Sequence, residues 1–191
     1  MVKISSLSNG LKPKTICSID ASTTSMAFAI YEDEKLMKYG KIKFVGVTPY
    51  DRVIDAGAKA RAFFLTFDKI DAIVIEHTVF MNSPKTVADL ALVQGAMLGA
   101  AGIQKIMSVA PITWQNFIGN KKFTKEEQFK FKSENPGRSD SWLKTQERNL
   151  RKQRTIKFVD INYDRVVDDN DVADAIAIGH YAVNNWDRLT K

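Results

Sequence analysis

A single cysteine, Cys17, occurs among the 191 residues of the sequence. One thiol excludes an internal disulfide framework and any zinc site built from several cysteines. Cys17 lies in the apolar stretch TICSI, which predicts a small buried side chain. No apolar run reaches the ~18 residues that a membrane helix needs, and the polar N-terminus MVKISSLSNGLKPK lacks the apolar core of a signal peptide. We therefore expect no membrane partner and a cytoplasmic location, or a nuclear one in a eukaryote.

The composition also excludes a disordered chain. Hydrophobic residues make up 45% of the sequence and charged residues 26%, which is ordinary for a folded protein. A length of 191 residues suits one α/β domain with a hydrophobic core and is too short for two full lobes. We predict a single domain over residues 1–191, in which residues 1–14 form a flexible polar tail.

The positive charge of the sequence is concentrated in one segment. The whole chain has a formal net charge of +6, and residues 120–155 alone contain eleven Lys or Arg and five Asp or Glu. The charges outside this segment therefore cancel. A basic excess confined to one stretch is typical of a surface that contacts nucleic-acid phosphates, and a solvated basic face is the alternative.

Hydrophobic periodicity predicts an α/β fold. Three short segments predict a meander of antiparallel strands, and the continuous apolar run DAIVI predicts a strand buried on both faces. Ser83 and Pro84 are suited to begin a helix, and SENPGRSDS predicts a loop within the basic segment. The predicted strands are 15–19, 26–31, 41–45, 71–75 and 106–109, with a turn at 32–34 or 38–40, and the predicted helices include 49–68 and a last helix that follows residue 168.

Four acidic residues fall where an α/β sheet places its ligands. Asp20 and Glu76 each follow a strand, at the carboxyl end where binding sites collect. Asp171 and Asp174 lie three residues apart near the start of the last helix and point to one side. Carboxylates gathered in this way repel one another unless cations join them, and hard oxygen ligands suit Mg²⁺ or Mn²⁺. The four residues are therefore candidate metal ligands.

Each acid also has a simpler interpretation. An Asp or Glu after a strand is commonly a turn former or a solvated side chain, and Asp171 alone would favour the helix dipole. Asp174 is harder to explain in this way, because its neighbours on both sides are apolar. Asp168 and Asp169 are alternatives to Asp171 as ligands, since Asp168 also lies three residues from Asp171.

Four motifs occur in an order that resembles the RuvC family of Holliday junction resolvases, which have an RNase H-like fold. In chain order they are SIDASTTSMAFAI, IVIEHTVFMNS, VQGAMLGAA and DVADAIAIGH. Each motif is weak alone, whereas four in order with suitable spacing are fairly specific. The resemblance implies an α/β, RNase H-like fold with a mixed five-stranded sheet flanked by helices.

The resemblance also implies how the protein works. It implies that Asp20, Glu76, Asp171 and Asp174 hold two Mg²⁺ ions, for which Mn²⁺ can substitute, and that no small-molecule cofactor takes part. The implied partners are a four-way DNA junction and a second copy of the chain, because the family's homodimers cut two strands symmetrically.

Further residues are assigned through the resemblance. Phe80 looks like the aromatic that wedges at the junction point, with core packing as an equal alternative. The stretch APITWQNFIGNKKFTKEE is similar to a basic region of bacterial members. Lys121, Lys122 and Lys125 are therefore expected to contact DNA phosphates, and Lys122 to offset charge at the reacting phosphorus.

Residues 123–161 depart from the bacterial pattern, because this segment is longer and poorly matched. It interleaves Phe123, Phe129, Phe131 and Trp142 with basic residues. These rings either stack on unpaired bases or pack the insertion onto the domain. The compact, divergent form resembles phage-encoded relatives, some of which cut branched DNA more broadly.

Three other functions remain open. IDASTTS resembles the phosphate loop of actin-like and sugar-kinase ATPases, but the chain is too short for two lobes and lacks a glycine-rich adenosine loop. A junction-binding protein without catalysis would gain nothing from carboxylates facing phosphates. A nuclease that cuts RNA:DNA hybrids or flaps is harder to separate. The basic insertion, and the spacing of Gly95 and Gly99 that permits close helix approach within the domain or between subunits, favour junctions.

Overall fold

The structure is a computed structural model that describes residues 12–78 and 83–190. The predicted tail at residues 1–14 lies almost wholly outside these residues. None of the helices in the described ranges is long and apolar enough to span a bilayer. The strands are β1 (Thr15–Ala21), β2 (Ser25–Glu32), β3 (Lys35–Lys43), β4 (Ala72–Glu76) and β5 (Ile106–Val109). The helices are α1 (Pro49–Phe64), α2 (Pro84–Ala101), α3 (Pro111–Phe117), α4 (Lys125–Ser133), α5 (Asp140–Tyr163), α6 (Asn170–Asn184) and α7 (Trp186–Leu189).

A mixed five-stranded sheet has the strand order β3-β2-β1-β4-β5. β2 pairs antiparallel with β1 and β3, whereas β4 pairs parallel with β1 and β5. The predicted α/β class, mixed sheet and antiparallel meander are confirmed. The predicted start of the third strand at residue 41 is wrong, because β3 begins at Lys35. Asp33 and Glu34 have positive φ angles and form the tight turn after β2.

The sheet separates two hydrophobic cores. Side chains alternate along β1, so Cys17 and Ile19 face α1 and α2, whereas Ile16 and Ser18 face α6. Cys17 is fully buried, as predicted. Because both faces of the sheet are covered, β4 needs apolar side chains throughout, which explains its continuous apolar run.

Helix α6 is held against β1 and β2 by two buried hydroxyl groups. Ser18 Oγ donates to the carbonyl oxygen of Ala175 at 2.7 Å, and Tyr31 Oη donates to that of Ile176 at 2.8 Å. Gly179 lies about one turn further along the helix, where a side chain would collide with Tyr31. These contacts fix the register of α6 on the sheet and therefore the position of its first turn.

Helix α2 begins after its predicted serine N-cap and packs on α1. Its buried side chains are Leu90, Val93 and Met97. Gly95 and Gly99 lie on the exposed side, and a Cβ atom at either position would have no neighbouring atom within 4 Å. The predicted close approach at these glycines is therefore not made within the described part of the chain.

Replacing Gly179 with alanine is expected to destabilise the protein by about 1–3 kcal/mol, because the added methyl group overpacks the contact between α6 and the sheet. A Cβ atom would lie 2.5 Å from Ser18 Oγ and still closer to the Tyr31 ring. Urea unfolding followed by circular dichroism measures the change. Gly57→Ala on α1 is the matched control, since its Cβ would meet Ala96 Cβ at an ordinary 3.8 Å. Equal stability of the two variants would contradict this packing.

Candidate metal centre

Asp20 and Glu76 lie side by side at the carboxyl ends of two parallel strands. The register of β1 and β4 pairs Ile19 with Ile75, and each acid is the next residue of its strand. Side chains two residues apart along a strand share a face. Both acids therefore project from the face of the sheet that α6 covers.

The first two turns of α6 supply the other two acids. Asp169 is the N-cap, and its Oδ1 accepts hydrogen bonds from two backbone N–H groups at 2.9 and 3.2 Å. Asp168 is exposed. Asp171 and Asp174 follow Asp169 on the side of the helix that faces the sheet's acidic end, and both act electrostatically on Asp20. Asp169 thus has a capping role, and Asp171 stays in the proposed ligand set.

Asp20 stands in the electrostatic field of three other carboxylates. Burial raises the pKa of Asp20 well above its usual value, and the charges of Glu76, Asp174 and Asp171 raise it further. The positive charge of Lys41 acts in the opposite direction. The fold therefore brings together four acids that are up to 154 positions apart in the chain.

Burial also disfavours the charged forms of Asp174 and Glu76. Burial raises the pKa of Asp174 to about 7, and the charge of Glu76 contributes to this rise. Burial also raises the pKa of Glu76, although Trp114 Nε1 donates a hydrogen bond to Glu76 Oε2 at 2.7 Å and opposes the shift. Several half-buried like charges raise the electrostatic free energy of the folded state, and bound cations would lower it.

Lys41 neutralises part of the negative charge. Its Nζ lies 2.6 Å from Asp171 Oδ2 and 2.9 Å from Asp169 Oδ2. The register places Lys41 there, because Asp20 pairs with Ala27 and Ala27 pairs with Lys41 in one row across three strands. Sequence patterns do not reveal this residue, since the lysine-rich edge strand β3 shows no clear alternation.

The chemistry of the donor set fits Mg²⁺ or Mn²⁺, since all four candidate ligands are hard carboxylate groups. Within residues 12–78 and 83–190, no three His, Cys, Asp or Glu side chains are already drawn together as a metal-binding group. Like charges keep carboxylates apart, and Asp171 is turned toward Lys41. The assignment of the four acids as ligands stays a prediction.

A basic cleft of about 510 Å³ leads from Asp174 along α5. Lysine and arginine side chains recur at spacings of three and four residues along this helix, so they share one face. The cleft forms because α5 faces Gln115 of α3, Gln128 of α4 and Asp174 of α6, an arrangement that the sequence pattern does not predict. The basic residues that line the cleft are Lys122, Lys144, Arg148, Arg151 and Lys152.

The four residues predicted to contact DNA fall in different places. Lys122 lines the same cleft as Asp174, whereas Lys125 lines an adjoining cavity between α4 and α5. Lys121 is exposed on the surface beside them. Phe80 lies outside the described residues. Of the three lysines, only Lys122 lines the cleft that Asp174 lines.

No protein-family model matches this sequence, and no curated protein matches it.

Solved structures do match the fold. RuvC of Thermus thermophilus bound to a Holliday junction substrate superposes with a TM-score of 0.59 and 16% identity, over 90% of this chain and 96% of that one. A second Thermus thermophilus RuvC structure has a TM-score of 0.60 and 16% identity, over 89% of this chain and 96% of that one. The yeast mitochondrial Holliday junction resolvase has a TM-score of 0.52 and 13% identity, over 95% of this chain and 82% of that one. The resemblance to RuvC is therefore confirmed at the level of the fold.

Proposed function

We propose that this protein is a metal-dependent endonuclease that resolves Holliday junctions and other branched DNA by paired hydrolysis of phosphodiester bonds. The observation that carries this proposal is the convergence of Asp20 and Glu76, at the carboxyl ends of β1 and β4, with Asp171 and Asp174 of α6, where Asp174 lines a basic cleft. The proposal is supported by the structural neighbours, since one is a RuvC bound to a Holliday junction substrate and another is a resolvase.

The four acids would hold two Mg²⁺ ions, with Mn²⁺ as a substitute. When bound, such ions supply an activated water nucleophile and offset charge on the attacking and leaving oxygens of a phosphodiester. The charges of the other three acids all act on Asp20, so Asp20 would hold the ions together with them. Trp114 holds Glu76 in place through its indole N–H.

The basic cleft would bind the DNA backbone on its way to the acids. Lys122, Arg148 and Lys152 line the cleft with Asp174, so phosphates bound there lead the strand toward the carboxylates. Lys122 would offset the charge that develops on the reacting phosphate. Lys152 already lowers the pKa of Asp174 against the effect of burial, which places its charge near the site.

Paired cleavage requires two active sites, and helix α2 offers a surface for a second copy of the chain. Gly95 and Gly99 lie on its exposed side together with Leu92, which is 47% exposed. Small residues at this spacing permit close approach of a helix from another subunit. We therefore place the homodimer contact on α2.

Cleavage assays test first whether the protein cuts a four-way junction. Wild-type protein with Mg²⁺ is expected to nick a synthetic four-way junction symmetrically, and Asp20→Asn to reduce the rate at least about 100-fold while binding the junction normally. Asp187→Asn, a change at an exposed acid on α7, is the control. Unchanged cleavage by Asp20→Asn would overturn the site, and cutting only RNA:DNA hybrid or flap DNA would favour the alternative nuclease class.

Lys41 and Mg²⁺ are expected to stabilise the same carboxylates. In EDTA, Lys41→Met should lose about 1–2 kcal/mol of stability, because Asp169 and Asp171 lose their counter-ion while staying partly screened by water. Mg²⁺ should restore most of this loss, as measured by the unfolding temperature. Lys59→Met breaks an ion pair of similar exposure with Asp55, away from the four acids, and should respond to Mg²⁺ as wild type does. If Mg²⁺ raised the unfolding temperatures of Lys41→Met and Lys59→Met by the same amount, Lys41 and Mg²⁺ would not stabilise the same carboxylates.

The basic cleft should set the salt dependence of DNA binding. Arg148→Gln combined with Lys152→Gln is expected to reduce the slope of log affinity against log salt by about two, since each lost phosphate contact removes about one. Lys130→Gln combined with Lys157→Gln changes the same charge at exposed positions outside the cleft and is the control. Equal slopes for the two double variants would show that DNA follows another path.

A further inference from the structure

A second cavity, of about 430 Å³, opens between α4 and α5 beyond the catalytic cleft. Its volume lies within the range of ~300–1,000 Å³ that is usual for small-molecule pockets. Three phenylalanines, Phe123, Phe129 and Phe131, contribute to its wall together with Leu143. The cavity therefore has the flat apolar surfaces that suit an aromatic ligand.

Packing within the insertion fixes most of these rings but leaves one exposed. Phe131 stacks on Trp142 with centroids 6.4 Å apart and meets Phe123 edge-on at 5.9 Å. Arg138 lies over the face of Trp142 at 5.0 Å, which rigidifies the same side. Phe129, in contrast, is 76% exposed at the cavity. Three of the four aromatics singled out in the sequence thus pack the insertion, and the fourth offers a free face.

The charges around the cavity favour a polyanion. Lys132 is paired with Asp140 at 2.9 Å. Lys125 and Lys144 also line the cavity and take part in none of the ion pairs found within residues 12–78 and 83–190. Glu147 is engaged by the backbone N–H of Phe123 at 3.1 Å. Two lysines beside an exposed ring form the combination that proteins use to bind single-stranded nucleic acid.

The cavity is continuous with the cleft that reaches the acids. Gln128, Lys144 and Glu147 line both spaces, and Asp174 lines the cleft. A strand that lies in the cleft therefore passes beside the cavity. The ligand of the cavity is then a nucleotide of the same strand that reaches the catalytic acids.

We propose that this cavity, bounded by α4 and α5, holds an unpaired base of the DNA strand that leaves the catalytic cleft. The base stacks on Phe129, and the adjoining phosphates contact Lys125 and Lys144. The inference rests on the proposed nuclease function and adds the substrate class to it. DNA with an unstacked nucleotide near the cut, as at a branch point, fits this site, whereas continuous duplex does not present a free base.

Binding of single-stranded DNA in EDTA tests the site without cleavage. Phe129→Ala is expected to weaken the affinity for an oligothymidylate about 5- to 100-fold, which corresponds to the loss of stacking on one base. Phe129→Trp should retain wild-type affinity, because it keeps an aromatic face. Ile161→Ala is the matched control, since Ile161 is 69% exposed on α5 and does not line the cavity. Phe129 is exposed, so its loss leaves the core intact.

A 2-aminopurine base placed in the oligonucleotide gives a second readout. Its fluorescence should be quenched on binding to wild type and to Ile161→Ala, and not on binding to Phe129→Ala. Wild-type binding and quenching by Phe129→Ala would overturn the inference. If wild type shows quenching that depends on Phe129 but cuts no branched DNA with Mg²⁺, the proposed function fails and the binding site stands. If wild type cuts junctions and Phe129→Ala binds and quenches as wild type does, the inference alone fails.

Discussion

The confinement of several carboxylates in one half-buried region is the constraint on which the rest of this structure depends. Asp20 and Glu76 arrive from parallel strands and Asp174 from α6, so neither the sheet nor the helix forms the site alone. The apolar core between α6 and the sheet supplies the free energy that holds these like charges together. Lys41 and Trp114 offset part of the repulsion. Repulsion among these carboxylates lowers the free energy of unfolding, so a bound cation would raise it. Functional sites often reduce stability in this way.

Local patterns predict those parts of the fold that depend on neighbouring residues. The buried strand β4 and the N-cap of α2 follow directly from an apolar run and a Ser-Pro pair. Prediction starts the edge strand β3 six residues too late, because KLMKYGKIK contains four lysines, none of its residues is fully buried and its apolar residues do not alternate strictly. The buried face of α2 is also not predictable, since alanines and glycines surround Leu90, Val93 and Met97 and leave no distinct polar side.

The candidate site divides in the same way. The four acids can be found from the sequence, because each stands beside an apolar segment at the end of a strand or the start of a helix. Lys41 cannot, since its place depends on a register that runs across three strands. Arg148 and Lys152 contribute to a site only after α5 has packed beside α6, and Trp114 reaches Glu76 from 38 residues away. Tertiary packing therefore decides the supporting residues, whereas local pattern identifies the acids.

Helix α5 belongs to the insertion and to the core at once. Val159 is fully buried in the core shared with α6, and the Tyr163 hydroxyl joins Tyr31 at 3.0 Å and His180 at 2.6 Å. The insertion at residues 123–161 is therefore not an independent unit that could be deleted without affecting the rest of the fold. Removing the insertion would remove the packing of α5 against α6, the helix that carries Asp171 and Asp174. A substitution in α5 that alters the basic cleft therefore also alters the packing of α6, so the charge of the cleft and the stability of the fold are coupled.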